Sequence, residues 1–178
     1  EDGVLTYIVT GDMDTLQLVT EKTRVLTPHK GFSESIIYDA DKVFEKYGLT
    51  PEQITDMKGL QGDNSDNIKG VRGIGPKTAK TLLQKYGTIE NVYKNIEEIK
   101  GSTKTKLQED EESAHFSKYL ATIVTDVPMK LNLKDCEAHE YDQTELLNLF
   151  EQLQFKTLIG KLNRFNNHSQ EKKIQESG

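Results

Sequence analysis

Tryptophan is absent from this chain, and cysteine occurs once, as Cys136. A lone cysteine closes no internal disulfide and completes no four-ligand zinc site. The histidines, His29, His115, His139 and His168, are scattered without metal-ligand spacing. With no general base in view, no serine or cysteine stands out as a nucleophile. Long apolar runs are lacking too, and none approaches the ~20 residues of a membrane-spanning helix. The amino end shows neither the basic flank nor the ~7–15-residue apolar core of a secretory signal. Positive charge is in deficit: 23 Lys and Arg stand against 29 Asp and Glu, a net charge of −6. That balance weighs against a general nucleic-acid binder with one broad basic face, but local patches survive an acidic total. The expectation is a soluble, intracellular protein with no membrane partner.

What is present is a lean, highly charged sequence of 178 residues, long enough to bury a real core. Its pattern is α/β: part of a parallel-type central sheet, then a mostly helical region. The run Val4–Val9 is β-branched and nearly all apolar, which predicts a strand buried on both faces. A short helix over 14–19 follows, with Asp14 able to cap it. Strands are expected at Thr23–Leu26 and Ile36–Tyr38, and a helix over Asp39–Tyr47 stopped by Gly48. Thr50-Pro51-Glu52-Gln53 is a helix start that should carry to Leu60. Pro76 opens a further helix over Lys77–Tyr86, ended by Gly87. Helical patterns continue through Thr88–Asn95 and Thr103–Leu120, and a last strand is expected at Ala121–Val127. Helices over Gln143–Gln152 and Phe155–Leu162 precede a polar tail, 163–178, that reads as linker or disordered. The aromatic positions Tyr7, Tyr86, Phe116 and Tyr119 read as core.

Three elements can carry chemistry. Thr10-Gly11-Asp12-Met13-Asp14 sets two carboxylates just past the carboxyl end of a strand, where ligands of open α/β sheets bind. Both can face a hard cation such as Mg²⁺; equally, Asp14 can cap a helix while Asp12 shapes a turn. Gly62-Asp63-Asn64-Ser65-Asp66-Asn67 is a second acidic loop. It imitates the opening of a calcium-binding EF-hand loop but has Ile68 where glycine is needed and Ile74 where glutamate is needed, so that motif fails. An aspartate pair at i, i+3 is better suited to sharing one metal site with another loop. The third element, 70–80, combines Gly70, Gly73 and Gly75 with Lys69, Arg72, Lys77 and Lys80. Glycines admit a partner close to the backbone, and a helix start offers free N–H groups, including that of Thr78. The P-loop pattern is not met, because Lys77 follows Pro76. Between Asp63 and Lys85 the local charge is +3 in a chain of −6, which favours binding of backbone phosphates over a solvated interhelical link.

The segments TGDMDTLQLV, ITDMKGLQGDNSDNIKGVRGIGPKTAKTLL and FEQLQFKTLIGKL resemble the structure-specific 5′ nuclease (flap endonuclease) superfamily, and most of all the 5′–3′ exonuclease domains of bacterial DNA polymerase I. The resemblance covers about Val4 to Leu162. It implies that Asp12, Asp14, Asp63 and Asp66 are catalytic metal ligands for Mg²⁺ or Mn²⁺, in a two-metal phosphodiester hydrolysis. It also implies that 70–80 is a helix-hairpin-helix gripping duplex DNA, with contacts from Lys69, Arg72, Gly73, Gly75, Lys77, Thr78 and Lys80 and with hairpin carbonyls holding K⁺. Lys69 stands where the family usually has proline. The expected substrate is duplex DNA with a 5′ flap or nick, bound without sequence preference. The expected setting is the bacterial cytoplasm and nucleoid, and the expected partner is the rest of a DNA polymerase I chain. The domain expectation is a nuclease region, 1–162, subdivided at 60 and 120, with a tail at 163–178. The family's first-strand aspartate, acidic Glu-Ala-Asp-Asp-like cluster and helical arch do not occur in these residues. The chain therefore reads as the carboxyl half of a nuclease domain, impaired in isolation. The alternative is a non-catalytic duplex-binding module.

Overall fold

The apolar run at the start of the chain does form a strand, β1 (Thr6–Val9), but not a doubly buried one. In a computed structural model describing residues 3–29, 34–138 and 141–162, β1 lies at the edge of a three-stranded sheet of order β1-β2-β3. β2 (Thr23–His29) pairs with it in parallel, Ile8 opposite Val25, and β3 (Glu34–Tyr38) pairs antiparallel to β2, Leu26 opposite Ile37. The sheet is mixed, not parallel throughout. Val4, Leu5 and Tyr7 are exposed and Val9 is 60% exposed, so only Ile8 of this strand turns toward the core. The expectation of burial on both faces is corrected. An apolar run specifies a strand, but burial depends on what lies beside it, and β1 has β2 on one side only among the described residues.

The chain divides into two compact units, Glu1–Val127 and Pro128–Gly178. In the first, the segment after β1 is a 3-10 turn, Met13–Leu18, capped by Asp12 and not by Asp14: the Asp12 carboxylate accepts the Asp14 N–H at 3.0 Å. α1 (Ala40–Tyr47) is capped by Asp39 and stops at Gly48 in the left-handed conformation. α2 (Gln53–Gln61) begins as its start signal requires, with the Gln53 side chain accepting the Thr50 N–H at 3.0 Å. α3 (Pro76–Tyr86) has Pro at its first turn and Gly87 after its last. α4 (Ile89–Lys94) is capped by Thr88. The long helical pattern near residues 103–120 resolves into α5 (Ser102–Glu109) and α6 (Glu111–Ala121), parted at Asp110.

α2 is the centre of this unit, for every residue from Ile54 to Leu60 is buried. Leu60 packs with Leu83, Ile89 and Leu107 in one apolar cluster that also takes in Leu16 and Val25 from the sheet side. Gly59 lets α6 approach closely: a Cβ there would stand 3.0 Å from the Ala114 carbonyl oxygen and from Lys118 Cβ. A buried carboxylate and a half-buried ammonium pair beside the core. Asp56 accepts the Ile89 N–H at 2.9 Å and pairs with Lys118 at 2.8 Å, tying α2 to α4 and α6. The Gln17 amide closes the unit, donating to the Ala121 carbonyl at 2.9 Å and accepting the Ile123 N–H at 2.8 Å.

The expected strand at Ala121–Val127 is not formed; after α6 these residues have no regular structure, and Val124 and Val127 are exposed. Phe116 and Tyr119 are not core either, since they stack on each other on the exposed face of α6, with 6.4 Å between ring centroids. In the second unit, a 3-10 turn (Leu133–Cys136) precedes α7 (Gln143–Gln152), which Asp142 caps at the Thr144 and Glu145 N–H groups. Residues 156–162 form a last helix. The tail expectation, 163–178, falls outside the described residues, as do His139 and His168. Among the described residues no helix is long and apolar enough to cross a membrane.

Candidate functional site

A turn and a loop bring the acidic residues together. Asp14 arrives on the 3-10 turn that follows β1. Asp63 and Asp66 arrive on a loop closed by paired backbone hydrogen bonds between Asp63 and Ile68, each 2.8 Å. That closure depends on glycine. Gly62 and Gly70 have φ of 76° and 62° and lie back to back, so that a Cβ on Gly70 would collide with the Gly62 nitrogen. Asn67, also left-handed at φ 57°, turns the loop tip. As a result, one carboxylate oxygen from each of Asp14, Asp63 and Asp66 lies within 4.8 Å of the others. Asp12 is outside this group and serves as the cap described above.

The charge at the centre is Lys58, which the sequence reading did not single out. Lys58 is 7% exposed on α2, and its ammonium contacts Asp14 and lies 2.6 Å from an Asp63 oxygen. The available signal was that α2 has no polar face. A lysine on a helix buried all round must find a counter-charge or desolvation would neutralise it. Desolvation does press the Lys58 pKa down, but the hydrogen bonds that its ammonium donates to Asp14 and Asp63 outweigh it and raise the net value. Hydrogen bonds from Lys58 and then Ser65 hold Asp63 down at about 2. Asp66 moves the other way, raised by desolvation and by repulsion from Asp14 and Asp63. The cluster thus already contains a cation, and an excess of carboxylate oxygens around it. Oxygen-only donors of this kind suit a hard divalent ion.

Beside the cluster, α2 leads through the acidic loop and a glycine turn into α3. The turn is anchored to α2 by the Val71 N–H donating to the Leu60 carbonyl at 2.8 Å and tightened by Ile74 N–H to Val71 at 3.1 Å. Gly70 and Gly73 adopt positive φ, 62° and 78°. Lys69, Arg72, Gly73, Gly75 and Lys77 are exposed, and Thr78 and Lys80 are half-buried. Lys80 packs over Gly48, where any Cβ would strike its ammonium end. The first N–H groups of α3 have no intrahelical acceptors, and no side chain caps them. A cleft of about 360 Å³ lies alongside, lined by Asn64, Asn67, Lys69 and Arg72 among others.

The family model for the 5′–3′ exonuclease, C-terminal SAM fold, matches residues 49–144, which takes in the acidic loop, the glycine turn and α3. The chain belongs to this 5′–3′ exonuclease family. It is 43% identical over 163 residues to DNA polymerase I of Bacillus subtilis, covering 91% of this chain and 18% of that one. It is 44% identical over 158 residues to DNA polymerase I of Chloroflexus aurantiacus, covering 87% and 17%. The chain therefore spans less than a fifth of the length of these relatives. Among solved structures, the 5′-exonuclease of bacteriophage T5 with bound zinc ions shares the fold, with a TM-score of 0.57 at 24% identity over 66% of this chain and 42% of that one. A T5 flap endonuclease in complex with DNA and metal ions matches at a TM-score of 0.56 and 23% identity, over 66% and 42%.

Proposed function

We propose that this chain supplies metal ligands and the DNA grip of a 5′–3′ exonuclease and flap endonuclease domain, one that hydrolyses DNA phosphodiesters at 5′ ends, flaps and nicks in replication and repair. The observation carrying this reading is the convergence of Asp14, Asp63 and Asp66 one loop away from a glycine turn of net positive charge. These carboxylates fit Mg²⁺ or Mn²⁺, and they already hold one cation, the Lys58 ammonium. A divalent ion bound there supplies an activated water and an electrophilic partner for the phosphate. The residues of the chain set where that chemistry can happen. Asp63 and Asp66 are fixed by the closed loop and Asp14 by its turn, while Asp12 contributes as the cap of that turn and, by the family resemblance, as a further ligand. Lys69, Arg72, Lys77 and Lys80, with Gly73, Gly75 and the N–H of Thr78, face backbone phosphates of a duplex. Phosphates carry no base information, so binding is independent of sequence. K⁺ among the turn's carbonyls is a further ion of this reading, beyond the two divalent ions whose site this chain supplies in part, and the remainder of a DNA polymerase I chain is the covalent partner.

The test is release of labelled 5′ product from a flap duplex by the full chain in Mg²⁺. Release that stops on chelation and in Asp63→Ala supports the reading. A non-catalytic duplex-binding module is the second reading, favoured by Lys58 filling the centre of the cluster. Duplex binding without any product, in Mg²⁺ and in Mn²⁺ alike, would select it.

A further inference from the structure

The glycine turn proposed to grip DNA holds its own shape only in part, through the Ile74 N–H bond to Val71. Four of its other polar main-chain groups are taken up one after another by a single face of the α5–α6 pair. Lys106 donates to the Gly73 carbonyl at 3.1 Å. Asp110 accepts the Arg72 N–H at 2.8 Å. Ser113 donates to the Gly70 carbonyl at 2.7 Å, and Ser117 accepts the Gly70 N–H at 2.9 Å. The spacing 106, 110, 113, 117 is that of one helical stripe, i, i+4, i+7, i+11. It stays in line across the break at Asp110 because helical bonding continues on both sides, Asp110 N–H to Lys106 at 3.2 Å and Ala114 N–H to Asp110 at 2.9 Å.

We propose that Lys106, Asp110, Ser113 and Ser117 are positioning residues for DNA binding, holding the 70–73 turn in the form that meets the phosphates. Glycine loses more conformational freedom than any other residue when it is fixed. A turn built on Gly70 and Gly73 would otherwise be ordered at the expense of binding, and a stripe that orders it beforehand removes that cost. The inference rests on the reading of the glycine turn as the DNA grip, and the two can fail separately.

Asp110 provides a test in which two explanations differ in sign. Taking an acid away from a phosphate-binding surface should tighten binding on charge alone. If Asp110 is a positioning residue, Asp110→Ala instead weakens duplex binding by about 3–10-fold, the size of one lost hydrogen bond. Asp110→Asn keeps an acceptor for Arg72 N–H and should bind at least as tightly as the wild type. Binding of the full chain to a 5′-flap duplex would be measured in chelator across a salt series. The slope against salt should stay unchanged in Asp110→Ala, because no phosphate contact is removed, whereas Lys77→Ala with Lys80→Ala should flatten it. Should Asp110→Ala fail to fold, the pair Ser113→Ala (weaker) and Ser113→Thr (restored) decides in its place. Tighter or unchanged binding by Asp110→Ala, with the lysine variants weakened, overturns the positioning role alone. Normal binding by the lysine variants overturns the grip itself.

Discussion

Replacing Lys58 by Met would leave Asp14 and Asp63 facing each other across a partly buried gap with no counter-charge. Metal-free Lys58→Met should therefore melt lower than wild type. The loss should fall short of the about 3–5 kcal/mol of a fully buried broken pair, because the carboxylates keep some exposure to water. Divalent ions should then stabilise the variant more than they stabilise the wild type, since no ammonium competes for the same oxygens. Thermal melts with and without Mg²⁺ check both statements, and equal Mg²⁺-induced shifts would count against the competition. Asp63 carries a related pH signature. Its carboxyl is held at about 2 instead of 3.8, by Lys58 first and Ser65 second. A lowered carboxyl pKa contributes stability that is present above the unfolded value and is lost as pH falls through the folded one. The stability gap between metal-free wild type and Asp63→Asn should thus be full near pH 5 and close between about pH 4 and 2. Melts at fixed chelator across that range measure it.

At the scale of elements, Gly59 sets opposing effects against each other. Alanine improves an isolated helix by about 1 kcal/mol over glycine. Here its Cβ would press on the Ala114 carbonyl, the Ile89 Cδ1 and Lys118 Cβ, each at 3.0 Å. Backbone of a packed helix gives little, so Gly59→Ala should destabilise by about 1–3 kcal/mol, read as a lower melting temperature. The same contrast between local and tertiary information explains what could be read in the sequence. α1 and α3 were legible because their start and stop signals act within a few residues: Gly48, Pro76 and Gly87. α4 and α7 were legible from their helical pattern alone, and the structure adds the caps Asp39, Thr88 and Asp142. The acidic loop and the glycine turn were legible because composition and local charge mark them. Lys58 was not, because its partners lie 44 and 5 residues away in the chain and only the packing of α2 brings all three together. The break between α5 and α6 at Asp110 was not legible, since no glycine or proline marks it. The absent strand after Ala121 and the exposed Phe116 and Tyr119 show the remaining limit: apolar content states a preference for burial and not the neighbour that provides it.

For the molecule as a whole, the acidic cluster, the glycine turn and its holding stripe all lie within the unit that ends at Val127. The apolar cluster running from Leu16 to Ala114 belongs to that unit as well. A chain truncated after Val127 should therefore keep a cooperative thermal transition and duplex binding with the wild-type salt slope. Loss of the transition would show that the second unit is needed for the first to fold. The Gln17 amide bears on how this unit is made. Its two bonds to Ala121 and Ile123 span 104 and 106 residues. At a synthesis rate of about 5–20 residues per second, the ribosome needs about 5–21 s after making Gln17 before Ile123 exists to receive it. During that interval the turn bearing Asp14 has no latch to α6, and the apolar residues of β1 stand beside a half-made chain. The turn that carries Asp14 is thus fixed to the end of α6 only once nearly all of the unit that ends at Val127 has been made.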